Sequence, residues 1–238
     1  MEADPFVRQR ALDGIGAAGQ VALGEARVAI VGMGGLGCPA ALYLATAGVG
    51  SLTIIDSDSV TVTNLHRQVL YGPEDVGSRK VDVAASSLRR VAPWSVVRTV
   101  DERLTEANAA DELGGHDVVV DATDTFVSRR VVAAAASQAG IPLVWGAVNG
   151  WDGQLTVFDS TVGLDDLFPR DPGPLVDTCE PGAALGPLCG QLGAAMALEV
   201  IKLVTKAGTP LVGTLAVLDG RTGRWREASV RRSLAADA

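Results

Sequence analysis

Hydrophobic residues fall along this chain in short apolar runs, separated by longer stretches whose apolar positions recur at helical spacing. Residues 26–31 (ARVAIV) are apolar almost throughout and stop at glycines, the pattern of a strand buried on both faces of a parallel sheet. A helix is predicted next over LGCPAALYLATAG (36–48), with Pro39 in its first turn and Gly48 just past its end. SLTIIDSD (51–58) predicts a second strand ending in Asp56, SRKVDVAASSLRRV (78–91) a helix, and WSVVRTVDERL (94–104) a third strand. HDVVVDATD (116–124) predicts a fourth strand that delivers Asp121 and Asp124 at its end. A helix over 126–140 and strands over 141–148 and 153–158 follow. Strands alternating with helices imply a doubly wound α/β fold, a mostly parallel sheet covered on both faces.

The alternation then breaks. From Asp159 to about Gly182 the chain is rich in Pro, Gly and Asp and has no period, as in a long functional loop. A helix is predicted over 186–206, and GTLAVLDGRTGRWREASVRR (213–232) predicts a terminal hairpin with Asp219-Gly220 and Thr222-Gly223 as turn signals. The expectation is one domain over 1–238: a helical segment 1–25, a nucleotide-binding half 26–150, and a partner-binding half with a crossover loop at about 159–182.

Composition narrows the function. A net charge of −8 argues against a nucleic-acid binder, which would present a basic face. The N-terminus MEADPFVRQR lacks the apolar run of a signal peptide, and no uninterrupted apolar stretch nears the roughly 20 residues of a membrane helix. Three cysteines at irregular spacing do not make a disulfide framework. The expectation is a cytoplasmic protein without membrane or nucleic-acid partners.

The chemistry concentrates at strand ends. Gly32, Gly34 and Gly37, with Gly35 between them, form a G-x-G-x-x-G loop between strand and helix, where backbone N–H groups and the helix dipole favour phosphate. Asp56 follows about 20 residues later, where a carboxylate accepts hydrogen bonds from ribose hydroxyls; Asp58 stands two residues on. Asn64, Arg67 and Gln68 follow the second strand, at a crevice edge where the Arg67 fork could bind phosphate. Beside them His66 has no metal-spaced partner. Lys80 falls in the first turn of a helix, where a cation opposes the dipole, which suggests an anionic ligand. Asp124, at the end of an apolar strand, suits Mg²⁺ bound between it and a polyphosphate. The glycine loop alone would equally suit NAD, but a dehydrogenase needs neither the cations nor the metal carboxylate.

These residues sit in motifs that together resemble the ThiF/MoeB family, relatives of ubiquitin-activating enzymes: VRQ (7–9), GMGGLG (32–37), LYLATAGVGSLTIIDSD (42–58), NLHRQVL (64–70), VGSRKVD (76–82), DVVVDATD (117–124), GQLTVF (153–158) and ALEVIKL (197–203). The resemblance implies a Rossmann-like fold and an ATP-dependent adenylyltransferase. Its substrate would be the C-terminal glycine of a small ubiquitin-like sulfur carrier ending in Gly-Gly, similar to ThiS or MoaD, and its cosubstrate ATP with Mg²⁺. It implies that Gly34, Asp56, Asn64, Arg67, Lys80 and Asp124 hold ATP and metal, and that Arg8 reaches across a homodimer to the phosphates of the other subunit. It also places Cys179, in LVDTCEPG, at the cysteine of the crossover loop, where some relatives form a covalent link to the carrier. Adenylation of a short peptide or small carboxylate, and a scaffold that no longer catalyses, are the competing readings.

The chain departs from that pattern in two ways. Relatives usually hold a structural zinc on two C-x-x-C pairs, but the corresponding places carry Asp165 and Asp166 in LDDLFP and the tail RRSLAADA, so no zinc is expected. Thr125 stands where the family commonly has Asn. Cys38 and Cys189 fall within predicted helices and are expected to be buried.

Overall fold

The computed structural model describes residues 4–170 and 184–232. Among these, eight strands form one sheet: β1 Arg27–Val31, β2 Ser51–Ile55, β3 Val96–Val100, β4 Val118–Asp121, β5 Leu143–Asn149, β6 Asp152–Phe158, β7 Thr214–Asp219 and β8 Arg224–Ser229. Their order is β3-β2-β1-β4-β5-β6-β7-β8. Strands β1 to β5 run parallel, and β6, β7 and β8 each add antiparallel. The chain starts in the middle at β1, winds out to β3, then returns to lay β4 on the other side of β1. That reversal leaves a crevice at the carboxyl ends of β1 and β4, the usual ligand position in such sheets.

The apolar runs predicted as buried strands are buried because both faces of the sheet are covered. Val28, Ile30, Leu52, Ile54, Val118 and Val120 point to one core, shared with Leu44, Leu88 and Leu192. These last lie on helices α3 (Gly37–Thr46), α4 (Lys80–Val91) and α8 (Gly186–Thr205). The alternate residues Ala29, Val31, Val119, Leu143 and Trp145 point to a second core with Leu113, Val132 and Leu164, from α5 (Ala109–Leu113), α6 (Phe126–Gln138) and α7 (Leu164–Leu167). The N-terminal segment supplies α1 (Val7–Arg10) and α2 (Gly16–Glu25).

Two elements escaped the sequence pattern. Helices α5 and α7 are five and four residues long, too short to display a period. The second lies inside the stretch read as loop and is held by its own cap and by α6. Asp166 accepts the Gly163 N–H at 2.8 Å, and Asp165 pairs with Arg130 on α6. Residues 171–182 of the predicted crossover loop, Cys179 among them, lie outside the described residues. Thr125 caps α6, its hydroxyl accepting the Ser128 N–H at 3.2 Å, which gives the departure from Asn a local role. Both signals of the expected hairpin share its single turn, with Asp219 accepting from the N–H groups of Arg221 and Thr222 and Gly223 in the left-handed region at φ +68°.

Helix α8 fulfils the helix expected over 186–206. By length and composition its 20 residues are apolar enough to cross a bilayer, although Glu199 and Lys202 interrupt the run. The helix lies against the sheet, with Leu192, Met196 and Val200 in the first core. The Glu199 carboxylate, 3% exposed, accepts from the Leu211 N–H and the Lys202 ammonium.

Candidate functional site

The glycine loop leaves β1 at the crevice and is pressed against the end of β4. Gly32 sits at φ +92°, and a Cβ on it would stand 2.7 Å from the Ala122 carbonyl oxygen, so only glycine fits. Its N–H donates to Ile55 O at 2.8 Å, which extends the β1–β2 pairing into the loop. Gly34 and Gly35 follow, half-buried, and Gly37 opens α3 packed on the carbonyl of Gly32.

Asp56 ends β2 beside this loop. Its Oδ2 accepts the Met33 N–H at 2.7 Å and its Oδ1 accepts the Asp58 N–H at 2.8 Å. Lys80 opens α4 and is 6% exposed. Its Nζ donates to Asp58 Oδ2 at 2.8 Å and lies 4.0 Å from Asp56 Oδ2. The dipole conflict read from sequence is therefore offset inside the protein, by two carboxylates and by Asp82 in the same first turn. Burial raises the Asp56 pKa, and the Lys80 charge and the two N–H donors oppose that rise.

The stretch from Asn64 to Gln68 forms a tight turn, with the Arg67 and Gln68 N–H groups on the Asn64 carbonyl and the Asn64 side chain accepting from Thr61 N. Arg67 Nη1 donates to Thr63 O at 2.9 Å and meets His66 Nε2 at 2.7 Å. Gln68 is 3% exposed and its Oε1 has no hydrogen-bond partner. A Cβ on Gly34 would stand 3.8 Å from Gln68 Nε2, so this amide borders the loop. Cys189 was expected to be buried, and it is, yet it also walls the site. A Cβ on Gly35 would meet its sulfur at 2.9 Å and Arg67 Cδ at 3.5 Å.

The structure thus brings together the glycine loop, Asp56, Asp58, Arg67, Gln68 and Lys80. Asp124 is exposed just beyond β4, and Arg8 is exposed on α1. Among the described residues no three His, Cys, Asp or Glu side chains gather as they would to hold a metal. A cavity of about 820 Å³ between the loop after β2 and α4 has Tyr71 in its wall, and one of about 740 Å³ lies beside α6. Sequence reasoning missed Tyr71, buried at 8% exposure, whose hydroxyl donates to the Met33 carbonyl at 2.8 Å. A tyrosine following an apolar run carries no signal of that contact.

A mostly parallel, doubly wound sheet with a glycine loop, a strand-end acid and a buried lysine at its switch point is a Rossmann-like architecture. The chain belongs to the ThiF family, whose sequence profile matches residues 6–236. It is 40% identical over 234 residues to the probable adenylyltransferase/sulfurtransferase MoeZ of Mycobacterium tuberculosis, covering 95% of this chain and 60% of MoeZ. It therefore spans little more than half of that relative's length. It is also 40% identical over 240 residues to a sulfur carrier protein adenylyltransferase of Thermus thermophilus, covering 98% of this chain and 89% of that protein. A solved structure of Escherichia coli MccB with ATP has the same fold, with a TM-score of 0.86 at 21% identity over 99% of this chain and 74% of MccB.

Proposed function

We propose that this chain is an ATP-dependent adenylyltransferase acting on the C-terminal glycine carboxylate of a small ubiquitin-like sulfur carrier. The observation that carries the reading is the placement of a buried ammonium, Lys80, on Asp58 and beside Asp56, the carboxylate that also grips the glycine loop. A cation so placed beside a phosphate-type loop suits a polyphosphate. Kinship to the Thermus sulfur carrier protein adenylyltransferase supports the choice of substrate.

In the proposed reaction a carboxylate oxygen of the carrier attacks the α-phosphorus of ATP. The bond from that phosphorus to the bridging oxygen breaks, and pyrophosphate leaves with the electron pair. No proton is transferred, so the demand on the protein is alignment and neutralisation of charge growing on pyrophosphate. The N–H groups of Gly34, Gly35 and Gly37 cradle phosphate oxygens, Gly32 turns the loop while its own N–H stays on Ile55 O, and Asp56 accepts from the ribose. Asn64 and Gln68 line the pocket, and Arg67 and Lys80 neutralise the leaving group. Asp58 shares Lys80, and its side chain, 58% exposed, is free to give up that ammonium as ATP enters. Mg²⁺ fits Asp124, because that ion is usually held by one or two carboxylates plus substrate phosphates rather than by a protein cage. When bound it supplies further neutralisation of the phosphates.

Arg8 would serve the site of a second copy in a homodimer, and its exposure on α1 is compatible with that. Residues 26–150 would form the nucleotide half and the rest the carrier half, with Cys179 the candidate for a covalent link to the activated carrier. The test is incorporation of labelled pyrophosphate into ATP, with and without carriers ending in Gly-Gly. Carrier-dependent exchange in the wild type that falls at least about a hundredfold in Asp124→Ala is expected, the loss typical of a group acting on transition-state charge. ATP binding without exchange for any carrier, while a short peptide supports it, would replace the carrier with a peptide substrate.

A further inference from the structure

We infer that Tyr71 is a positioning residue for the nucleotide, its hydroxyl turning the Met33–Gly34 peptide so that the Gly34 N–H faces the crevice. This rests on the reading that the glycine loop holds ATP. The Tyr71 hydroxyl donates to Met33 O at 2.8 Å, and the Cys38 thiol approaches the same carbonyl at 3.4 Å. On the other side of the residue, the Met33 N–H donates to Asp56 Oδ2 at 2.7 Å. Two successive peptides of the loop are therefore held by side chains, the first by Asp56 and the second by the short Tyr71 bond with the weaker Cys38 thiol beside it. A trans peptide is planar, with its C=O and N–H pointing in opposite directions. Drawing the Met33 carbonyl inward to Tyr71 aims the Gly34 N–H outward, and Gly34 is half-buried at the crevice while Met33 is wholly buried.

Burial makes the hydroxyl hard to replace. Tyr71 is 8% exposed and Met33 0%, so bulk water does not stand in for the phenol. The same burial holds the Tyr71 pKa well above that of a free phenol, which keeps the group a donor across the working range. The hydroxyl touches no substrate in this scheme and acts only through the loop.

The test compares wild type with Tyr71→Phe, which keeps the ring and removes the donor. Binding of ATP, ADP and adenosine is measured by calorimetry, beside exchange kinetics. ATP and ADP are expected to bind about 3- to 10-fold more weakly to the variant, the range for losing one buried hydrogen bond while the Cys38 thiol still reaches the Met33 carbonyl, with KM for ATP rising more than kcat falls. Adenosine, which has no phosphates, is expected to change less than about twofold, below the loss expected for ATP. Unchanged ATP affinity would overturn the inference, and so would equal weakening of ATP and adenosine, which would mean general damage. A wild type that binds no ATP would instead sink the underlying reading, and this inference with it. Should the variant not fold, wild-type protein labelled with 3-fluorotyrosine supplies the second measurement. The chain has two tyrosines, and Tyr43 is 53% exposed on α3. The Tyr71 fluorine resonance is expected to move on adding ATP while that of Tyr43 stays; a stationary Tyr71 signal would overturn the inference.

Discussion

Asp56 loses hydration at the end of β2, and that burial pushes its pKa above the ordinary carboxylate value against the pull of Lys80 and two N–H donors. The sign of the consequence follows directly. Between the ordinary carboxylate pKa and the raised one the folded protein holds the proton more tightly than the unfolded chain, so this group's contribution to stability falls as pH rises through that window. Binding runs the other way, because a proton on Asp56 replaces an acceptor facing Met33 N–H and the ribose. ATP affinity is expected to fall as pH drops through the raised pKa, with Asp56→Asn weaker throughout and flat across the same range. Calorimetric titrations at a series of pH values decide it; parallel profiles for the two proteins would remove Asp56 from the site. Asp56 was legible in the sequence from its spacing to the glycines. The partners that set its pKa were not, since Asp58 and Lys80 are 22 residues apart and meet only across a loop.

The elements of the fold do more than carry these residues. Helix α8 closes the first core and touches the site at its start, where Gly186 packs on the His66 carbonyl and Cys189 lies under Gly35. Gly193 lets α8 approach α3 closely: a Cβ there would stand 2.5 Å from Pro39 Cγ and 2.6 Å from the Leu36 carbonyl oxygen. Gly193→Ala is therefore expected to force the helices apart and destabilise the protein by about 1–3 kcal/mol, as overpacking does. Because Leu36 closes the glycine loop, ATP affinity should fall in the same variant. Denaturant unfolding and calorimetry check the two effects, and an unchanged midpoint would mean that α8 can shift freely. The period of α8 was readable along the chain, whereas its contact with α3 depends on residues about 150 positions apart and on glycine's missing side chain.

For the whole molecule the open element is the second copy. If Arg8 acts across a homodimer, Arg8→Ala and Asp124→Ala are each inactive alone but complementary when mixed. The hybrid dimer then has one site with its own Asp124 and an intact Arg8 from the other chain. Random reassortment would restore about a quarter of wild-type exchange, since half the dimers are hybrids with one good site of two. No recovery after verified subunit exchange would mean that Arg8 does not act across the dimer, and an active Arg8→Ala protein would place it outside the mechanism. Strand order, by contrast, is settled in the structure: the sequence pattern already implied a doubly wound sheet, and β1 lies between β2 and β4 as that winding requires.

By itself the sequence determined the period of each long element, the glycine loop and the acids at strand ends, because these are local: a hydrophobic spacing, a turn that tolerates no side chain, a carboxylate at a fixed offset. The tertiary structure alone decided which buried groups meet. It placed Lys80 on Asp58, Tyr71 on Met33 and Cys189 under Gly35, and it formed α5 and α7 from segments too short to announce themselves. Those contacts join residues distant in the chain within a low-dielectric interior, where each hydrogen bond depends on burial that no stretch of sequence creates alone.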